Sequence, residues 1–215
     1  MRVKICGVRT RAEAAVAAEA GASFVGLVFF AASPRSVTLG DARWIAHGVP
    51  DGLVRVALTV DAEDAELEAI ITSVPVDMLQ LHGHETPDRV ADVRARFGLP
   101  VVKAVGVSRE ADLAGLALHG EVADLLLVDA RPPTGAALPG GNGLAFDWRL
   151  VRGRRWQVPW MLAGGLTPEN VRDAVRLTGA EAVDVSSGVE QAPGRKDPQR
   201  IRAFVEAAIS AERAA

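Results

Sequence analysis

Eight short runs of apolar and β-branched residues recur along the chain, at 2–6, 24–29, 54–60, 77–81, 101–105, 124–129, 159–163 and 182–185. Between and after them lie stretches with helical spacing, at 12–20, 40–47, 62–73, 87–97, 110–118, 168–178 and 198–211, with a weaker one at 147–152. Nothing else in the sequence restricts the fold as much. Strands alternating with helices form βαβ units, and βαβ units make a parallel sheet. The near-continuous apolarity of the runs suits strands whose outer face is covered by helices. Eight units, recurring at roughly 25 residues with no insertion long enough for another domain, favour a closed (β/α)8 barrel. The expectation is an α/β fold in which residues 1–215 form a single TIM-barrel domain. An open, doubly wound sheet is the alternative. The sixth helix is the weak point: Trp148, Leu150, Val151 and Arg152 start a pattern that Gly153 interrupts, which predicts a short or irregular turn. The last five residues, Ala-Glu-Arg-Ala-Ala, are expected to fray.

At 215 residues and 49% hydrophobic content, one large core can be buried. A net charge of −3 with no basic run argues against a nucleic-acid partner. No segment approaches the ~18 uninterrupted apolar residues of a membrane span, and the N-terminus lacks the apolar core of a signal peptide. A single cysteine cannot form an internal disulfide, which fits a reducing cytoplasm.

That cysteine closes the first run, Val3-Lys4-Ile5-Cys6-Gly7, and an aspartate closes the sixth, Leu125-Leu126-Leu127-Val128-Asp129. In a barrel, active groups gather at the C-terminal strand ends and in the loops that follow. The chain's other unusual residues fall there too: Arg35 after strand two, Gln80 and His82 closing strand four, and Asp184 ending strand eight. Successive strand residues face opposite sides, so Lys4 and Cys6 share a face, as do Leu125, Leu127 and Asp129. If that face is the barrel interior, Cys6 and Asp129 cap it from above, with the Lys4 ammonium below the thiol. A nearby cation favours thiolate. A small buried hydrophobe is the alternative role for Cys6, and a turn-forming residue that for Asp129. Arg35 is either a carboxylate clamp or a solvated surface arginine. His82 and His84 lie two apart with no evident third ligand, so no metal site is expected.

Two glycine-rich turns make a second constellation. Gly164-Gly165 follow strand seven, where Thr167 suits a helix N-cap and Pro168 the first helical position. Ser186-Ser187-Gly188 follow strand eight. Loops in these two positions, near a helix N-terminus, are the usual phosphate site of such barrels, which points to a small phosphorylated ligand. Ordinary turn glycines are the alternative. The stretch Leu138-Pro139-Gly140-Gly141-Asn142-Gly143 belongs to a long loop after Asp129; loops of that length are usually lids or binding loops, or disordered. It is no dinucleotide fingerprint, since no strand feeds it and no suitably spaced helix follows.

Taken together, Lys4-Ile5-Cys6-Gly7, Gly26-Leu27-Val28-Phe29, Ser33-Pro34-Arg35-Ser36, Leu79-Gln80-Leu81-His82-Gly83, Leu126-Leu127-Val128-Asp129, Phe146-Asp147-Trp148, Ala163-Gly164-Gly165-Leu166 and Val183-Asp184-Val185-Ser186-Ser187-Gly188-Val189-Glu190 resemble the phosphoribosylanthranilate isomerases of tryptophan biosynthesis. One departure is Asn142, where the family usually has Ser or Thr. The resemblance implies an Amadori rearrangement of N-(5-phosphoribosyl)anthranilate to 1-(2-carboxyphenylamino)-1-deoxyribulose 5-phosphate. It implies Asp129 as general acid on the furanose oxygen and Cys6, as thiolate, as the base that removes the C2 proton. Arg35 would hold the anthranilate carboxylate; Gln80, His82 and Asp184 would line the substrate. Gly164, Gly165, Ser186, Ser187 and Gly188 would hold the phosphate. The substrate imine is its own electron sink, so neither cofactor nor metal is needed. The enzyme would be a monomer or homodimer. The related sugar isomerase of histidine biosynthesis resembles it but carries an aspartate at the Cys6 position. A catalytically idle barrel that binds a phosphorylated ligand would need neither Cys6 nor Asp129.

Overall fold

The computed structural model describes residues 1–131, 138, 140–141 and 143–212. Eight parallel strands close into a barrel: β1 (Arg2–Cys6), β2 (Phe24–Val28), β3 (Val54–Thr59), β4 (Met78–Leu81), β5 (Val101–Val107), β6 (Leu125–Ala130), β7 (Trp160–Leu162) and β8 (Ala182–Val185). The seam between first and last strand pairs Lys4 with Asp184 and Ile5 with Val185, so the sheet has no free edge. The open doubly wound alternative is excluded.

Around the barrel run α1 (Arg11–Ala20), α2 (Leu39–Ala46), α3 (Asp64–Ser73), α4 (Pro87–Phe97), α5 (Leu113–His119), α6 (Val171–Thr178) and α7 (Pro198–Glu212). Local chemistry fixes several starts. The hydroxyls of Thr10, Thr38 and Thr86 accept from the amides of Glu13, Asp41 and Arg89, satisfying helix donors that have no intrahelical partner. Where a sixth helix would lie, Trp148–Val151 form a single 3₁₀ turn. Asp147 caps it through the Arg149 amide, and Gly153 ends it with φ +66°.

Two expected boundaries move for identifiable reasons. The helix expected over 110–118 splits into a 3₁₀ turn, Glu110–Asp112, and α5, because the Asp112 carboxylate folds back onto the amides of Ser108 and Arg109. The helix expected from Pro168 begins at Val171: Asn170 accepts from the Thr167 amide and donates to the Gly165 carbonyl, holding the first turn in the loop. Thr167 therefore heads a turn, its hydroxyl accepting from the Glu169 amide. A small antiparallel hairpin, β9 (Glu190–Ala192) with β10 (Arg195–Lys196), was not foreseen. The C-terminal end is described as α7 through Glu212, beyond the expected limit, and residues 213–215 lie outside the described residues.

Alternation sorts the strand residues into two cores. Val3, Val25, Leu27, Ala57, Leu79, Leu126 and Val128 face the helices. Phe24, Val56, Val102, Leu125, Leu127 and Met161 fill the barrel. Lys4 and Gln80 share the inward parity. Above them Cys6, Val28 and Leu58 form a small cluster at the C-terminal mouth.

Candidate active site

Cys6 and Gly26 are register partners on β1 and β2, and a turn at Gly7 follows immediately. Gly7 has φ +77°, and a Cβ there would lie 2.7 Å from the Arg35 side chain, so only glycine lets the chain turn beneath the arginine. Lys4 Nζ, beneath Cys6, donates to Asp184 Oδ1 at 3.0 Å across the barrel seam. Burial opposes the Lys4 charge, but Asp184 and Cys6 outweigh it and hold the ammonium above its ordinary pKa. Burial pushes the Cys6 thiol's pKa up, Asp184 adds to the rise, and Lys4 and Lys196 only partly offset them.

Asp129, at the tip of β6, is buried, with Oδ1 accepting from the Ala130 amide at 2.7 Å. Its Oδ2 faces His82 Nε2 at 3.3 Å. Gln80 sits beneath: its Nε2 donates to His82 Nδ1 at 2.8 Å. Gln80 is fully buried, and among the described residues it lines neither of the two recesses at the mouth. His82 is held by the turn after β4, which is braced from within. Lys103 Nζ donates to the Leu81 and Gly83 carbonyls and to Glu85 Oε2, while Glu85 accepts from the amides of Asp61 and Gly83. His84 points outward beside Asp61.

Two recesses open at the mouth. One, about 430 Å³, is walled by Gly164 and Gly165 after β7 and by Ser186, Ser187 and Gly188 after β8. Among the described residues, the amides of Gly164, Gly165, Ser187 and Gly188 have no acceptor, the arrangement an anion needs. Gly164, at φ +84°, passes so close to the Ala130 amide that a Cβ would lie 2.6 Å from it. The Ser186 hydroxyl is committed elsewhere, donating to the Cys6 carbonyl at 3.1 Å. The other recess, about 460 Å³, has an apolar wall of Val28, Phe30, Leu58 and Val60, with Cys6, His82 and Arg35 on its rim. Asp129, Asp184, Ser186, Gly140 and Gly141 line both, so the two meet at the catalytic candidates.

Arg35 is buried, which removes the solvated alternative. Nε and Nη2 make a bidentate pair with Glu190 at 2.8 and 2.9 Å, and Nη2 also donates to the Gly141 carbonyl. Nη1 has no acceptor among the described residues. Lys196 Nζ binds the same Glu190 and also the Ser186 carbonyl and hydroxyl. Burial opposes ionisation of Glu190, yet Arg35 and Lys196 together hold its carboxyl below the usual range. Burial holds Lys196 below the ordinary lysine range, against Glu190. Sequence reasoning missed Lys196 and the role of Glu190, because charges in a polar turn read as solvated until the hairpin folds them inward. The Asn142 departure, with 132–137 and 139 of the long loop, lies outside the described residues.

The sequence profile of the N-(5'phosphoribosyl)anthranilate (PRA) isomerase family matches residues 3–207. The chain belongs to that family. A relative named N-(5'-phosphoribosyl)anthranilate isomerase, from Cereibacter sphaeroides, is 62% identical over 97% of this chain and 98% of its own. The crystal structure of phosphoribosyl anthranilate isomerase from Thermotoga maritima superposes with a TM-score of 0.87 at 36% identity, covering 98% of this chain and 99% of that one. A structure of the isomerase in complex with reduced 1-(o-carboxyphenylamino)-1-deoxyribulose 5-phosphate gives 0.84 at 35% identity, with the same coverage. Another neighbour is a structure of monomers generated from the dimeric phosphoribosylanthranilate isomerase of Thermotoga maritima, with a TM-score of 0.83 at 35% identity. As a phosphoribosylanthranilate isomerase, the chain is an enzyme of tryptophan biosynthesis. Among the described residues, no helix is long and apolar enough to cross a membrane, and no three His, Cys, Asp or Glu side chains group as a metal site.

Proposed function

We propose that Asp129 is the general acid and Cys6 the general base of this isomerase. The observation that carries the reading is that both groups line the apolar slot and that Asp129 stands where the slot meets the anion recess. Asp129 gives its proton to the furanose oxygen as the C1–O bond breaks, and the nitrogen lone pair closes a C1=N bond. Cys6, as thiolate, takes the C2 proton; the electron pair moves into C1=C2, giving an enolamine that tautomerises to the ketone. Each positioned proton-transfer group supplies about 10²–10⁴-fold. The thiol reaches its active form against burial, with Lys4 as the stabilising cation.

The phosphate is assigned to Gly164, Gly165, Ser187 and Gly188, with Ser186 bracing the wall. The aryl ring goes to the slot of Val28, Phe30, Leu58 and Val60. Arg35 presents Nη1 to the anthranilate carboxylate, while His82 and Asp184 border the reacting carbons. Residues 1–215 act as one domain, without cofactor or metal, in the cytoplasm, as a monomer or homodimer, and need no membrane or nucleic acid. Turnover of freshly generated phosphoribosylanthranilate in the presence of a chelator, followed by fluorescence loss, tests the assignment through Cys6→Ser and Asp129→Asn. Wild-type rates in both variants would sink it.

A further inference from the structure

Gln80 occupies an inward position on β4, among apolar neighbours that include Val56 and Val102. Its amide is fully buried, yet only one end is used. Nε2 donates to His82 Nδ1 at 2.8 Å, whereas Oε1 has no partner among the described residues. A buried carbonyl without a donor is a cost that a leucine or methionine would not carry. An unsatisfied group at such a position calls for a reason outside packing.

The used end supplies one. An amide NH₂ can only donate, so His82 Nδ1 must accept, and the neutral ring carries its hydrogen on Nε2. That nitrogen faces Asp129 Oδ2 at 3.3 Å. Asp129 Oδ1 already accepts from the Ala130 amide. Gly140 lies directly over the pair: a Cβ on it would be 2.6 Å from His82 Nε2 and 2.7 Å from Asp129 Oδ2.

We infer that Gln80 is a positioning residue that fixes the tautomer of His82, so that the ring offers a donor to the carboxylate formed when Asp129 releases its proton. The inference rests on Asp129 as general acid. In the ring-opening step the proton leaves Asp129 for the furanose oxygen, and the negative charge that remains spreads over two oxygens. One is met by the Ala130 amide and the other by His82 Nε2–H. Each oxygen keeps a second lone pair for the mobile proton. With the opposite tautomer, His82 Nε2 would present a lone pair to the new carboxylate and oppose its formation. A buried group that only sets an imidazole tautomer is known to matter strongly for catalysis.

The test compares Gln80→Glu, Gln80→Met and Asp129→Asn with the wild type. The readouts are kcat, KM, thermal midpoint and long-range ¹H–¹⁵N spectra of the imidazole nitrogens. In the wild type, neutral His82 carries hydrogen on Nε2. Gln80→Glu, whose carboxylate can only accept, protonates Nδ1 and lowers kcat about tenfold to a hundredfold, with KM within about twofold. Gln80→Met lowers kcat while leaving the thermal midpoint equal or higher, because the unsatisfied carbonyl is gone; a merely structural glutamine would lower it. Wild-type kcat in both Gln80 variants, with Asp129→Asn inactive, overturns the inference and leaves the acid assignment standing. Retention of Nε2–H in Gln80→Glu overturns it as well. An active Asp129→Asn overturns both. If Gln80→Glu does not fold, Gln80→Met decides by the split between kcat and thermal midpoint.

Discussion

Gly26 offers a perturbation that touches neither substrate nor general acid. It is the register partner of Cys6, and its missing side chain leaves the space that the thiol and the Lys4 ammonium fill. A Cβ built there lies 2.9 Å from Cys6 Sγ, 3.1 Å from Lys4 Nζ and 3.2 Å from Cys6 Cα. Non-bonded heavy atoms settle at about 3.5–4.0 Å. Gly26→Ala therefore has to drive the sulfur away by roughly 0.6–1 Å. The Cys6 backbone cannot yield much, because β1 is pinned between β2 and β8. The thiol and ammonium must turn instead. A misplacement of about 1 Å costs about 10²-fold in rate, which is about 2.7 kcal/mol of barrier. Overpacking should also lower stability by about 1–3 kcal/mol. The assay is kcat/KM from fluorescence loss of phosphoribosylanthranilate, with the thermal midpoint and the alkylation rate of Cys6 measured on the same samples. The expected result is a hundredfold fall in kcat/KM, with folded protein and an altered alkylation rate. A kcat/KM within about twofold of wild type would refute the argument that the close packing around Gly26 sets the position of the base.

Cys6→Ser and Asp129→Asn should each lower kcat by at least about a hundredfold while leaving the circular dichroism spectrum unchanged. Arg35→Ala should raise KM for the anthranilate compound and leave inhibition by inorganic phosphate nearly unchanged, since its guanidinium borders the apolar slot rather than the anion recess; competition assays measure both. Glu190→Gln, by loosening the bidentate hold on Arg35, should raise the same KM by a smaller factor. For pH, the sign follows from the thiol: burial raises its pKa, and alkylation needs the thiolate, so the alkylation rate of Cys6 should keep climbing with pH into and above the ordinary cysteine range. A rate that levels off below that range would contradict the raised thiol. Glu190 shifts the other way. Its carboxyl lies below the usual glutamate range in the fold, so its contribution to stability is present above that range and is lost as pH falls through the lowered value; thermal midpoints of wild type and Glu190→Gln should converge there.

The barrel was legible because hydrophobic periodicity is a local property that each strand displays for itself. β1 and β8 match their expected limits, and even the missing sixth helix was visible in the interruption at Gly153. Strand parity placed Lys4 below Cys6 and Asp129 above Leu127, since a pleat leaves no other choice. What stayed hidden depends on contacts between distant segments. Asn170 reaches back to Gly165 and Thr167 and delays α6. The β9–β10 hairpin buries Lys196 and Glu190 beside Arg35, 155 positions away for the glutamate. The direction of the thiol's shift stayed hidden for a related reason: adjacency to Lys4 can be read from spacing, but the depth of burial that outweighs it belongs to the assembled mouth.

Arg35, Glu190, Lys196 and Ser186 make an unbroken chain of ionic and hydrogen bonds from the β2 loop to the β8 loop. If the carboxylate and phosphate sit as proposed, Arg35 at one end of this chain grips the carboxylate, and Ser186 at the other braces the wall that holds the phosphate. The chain is then a caliper with fixed jaws. A ligand that offers both anions at another separation can close on one jaw only, so the enzyme measures length before it tests the chemistry between.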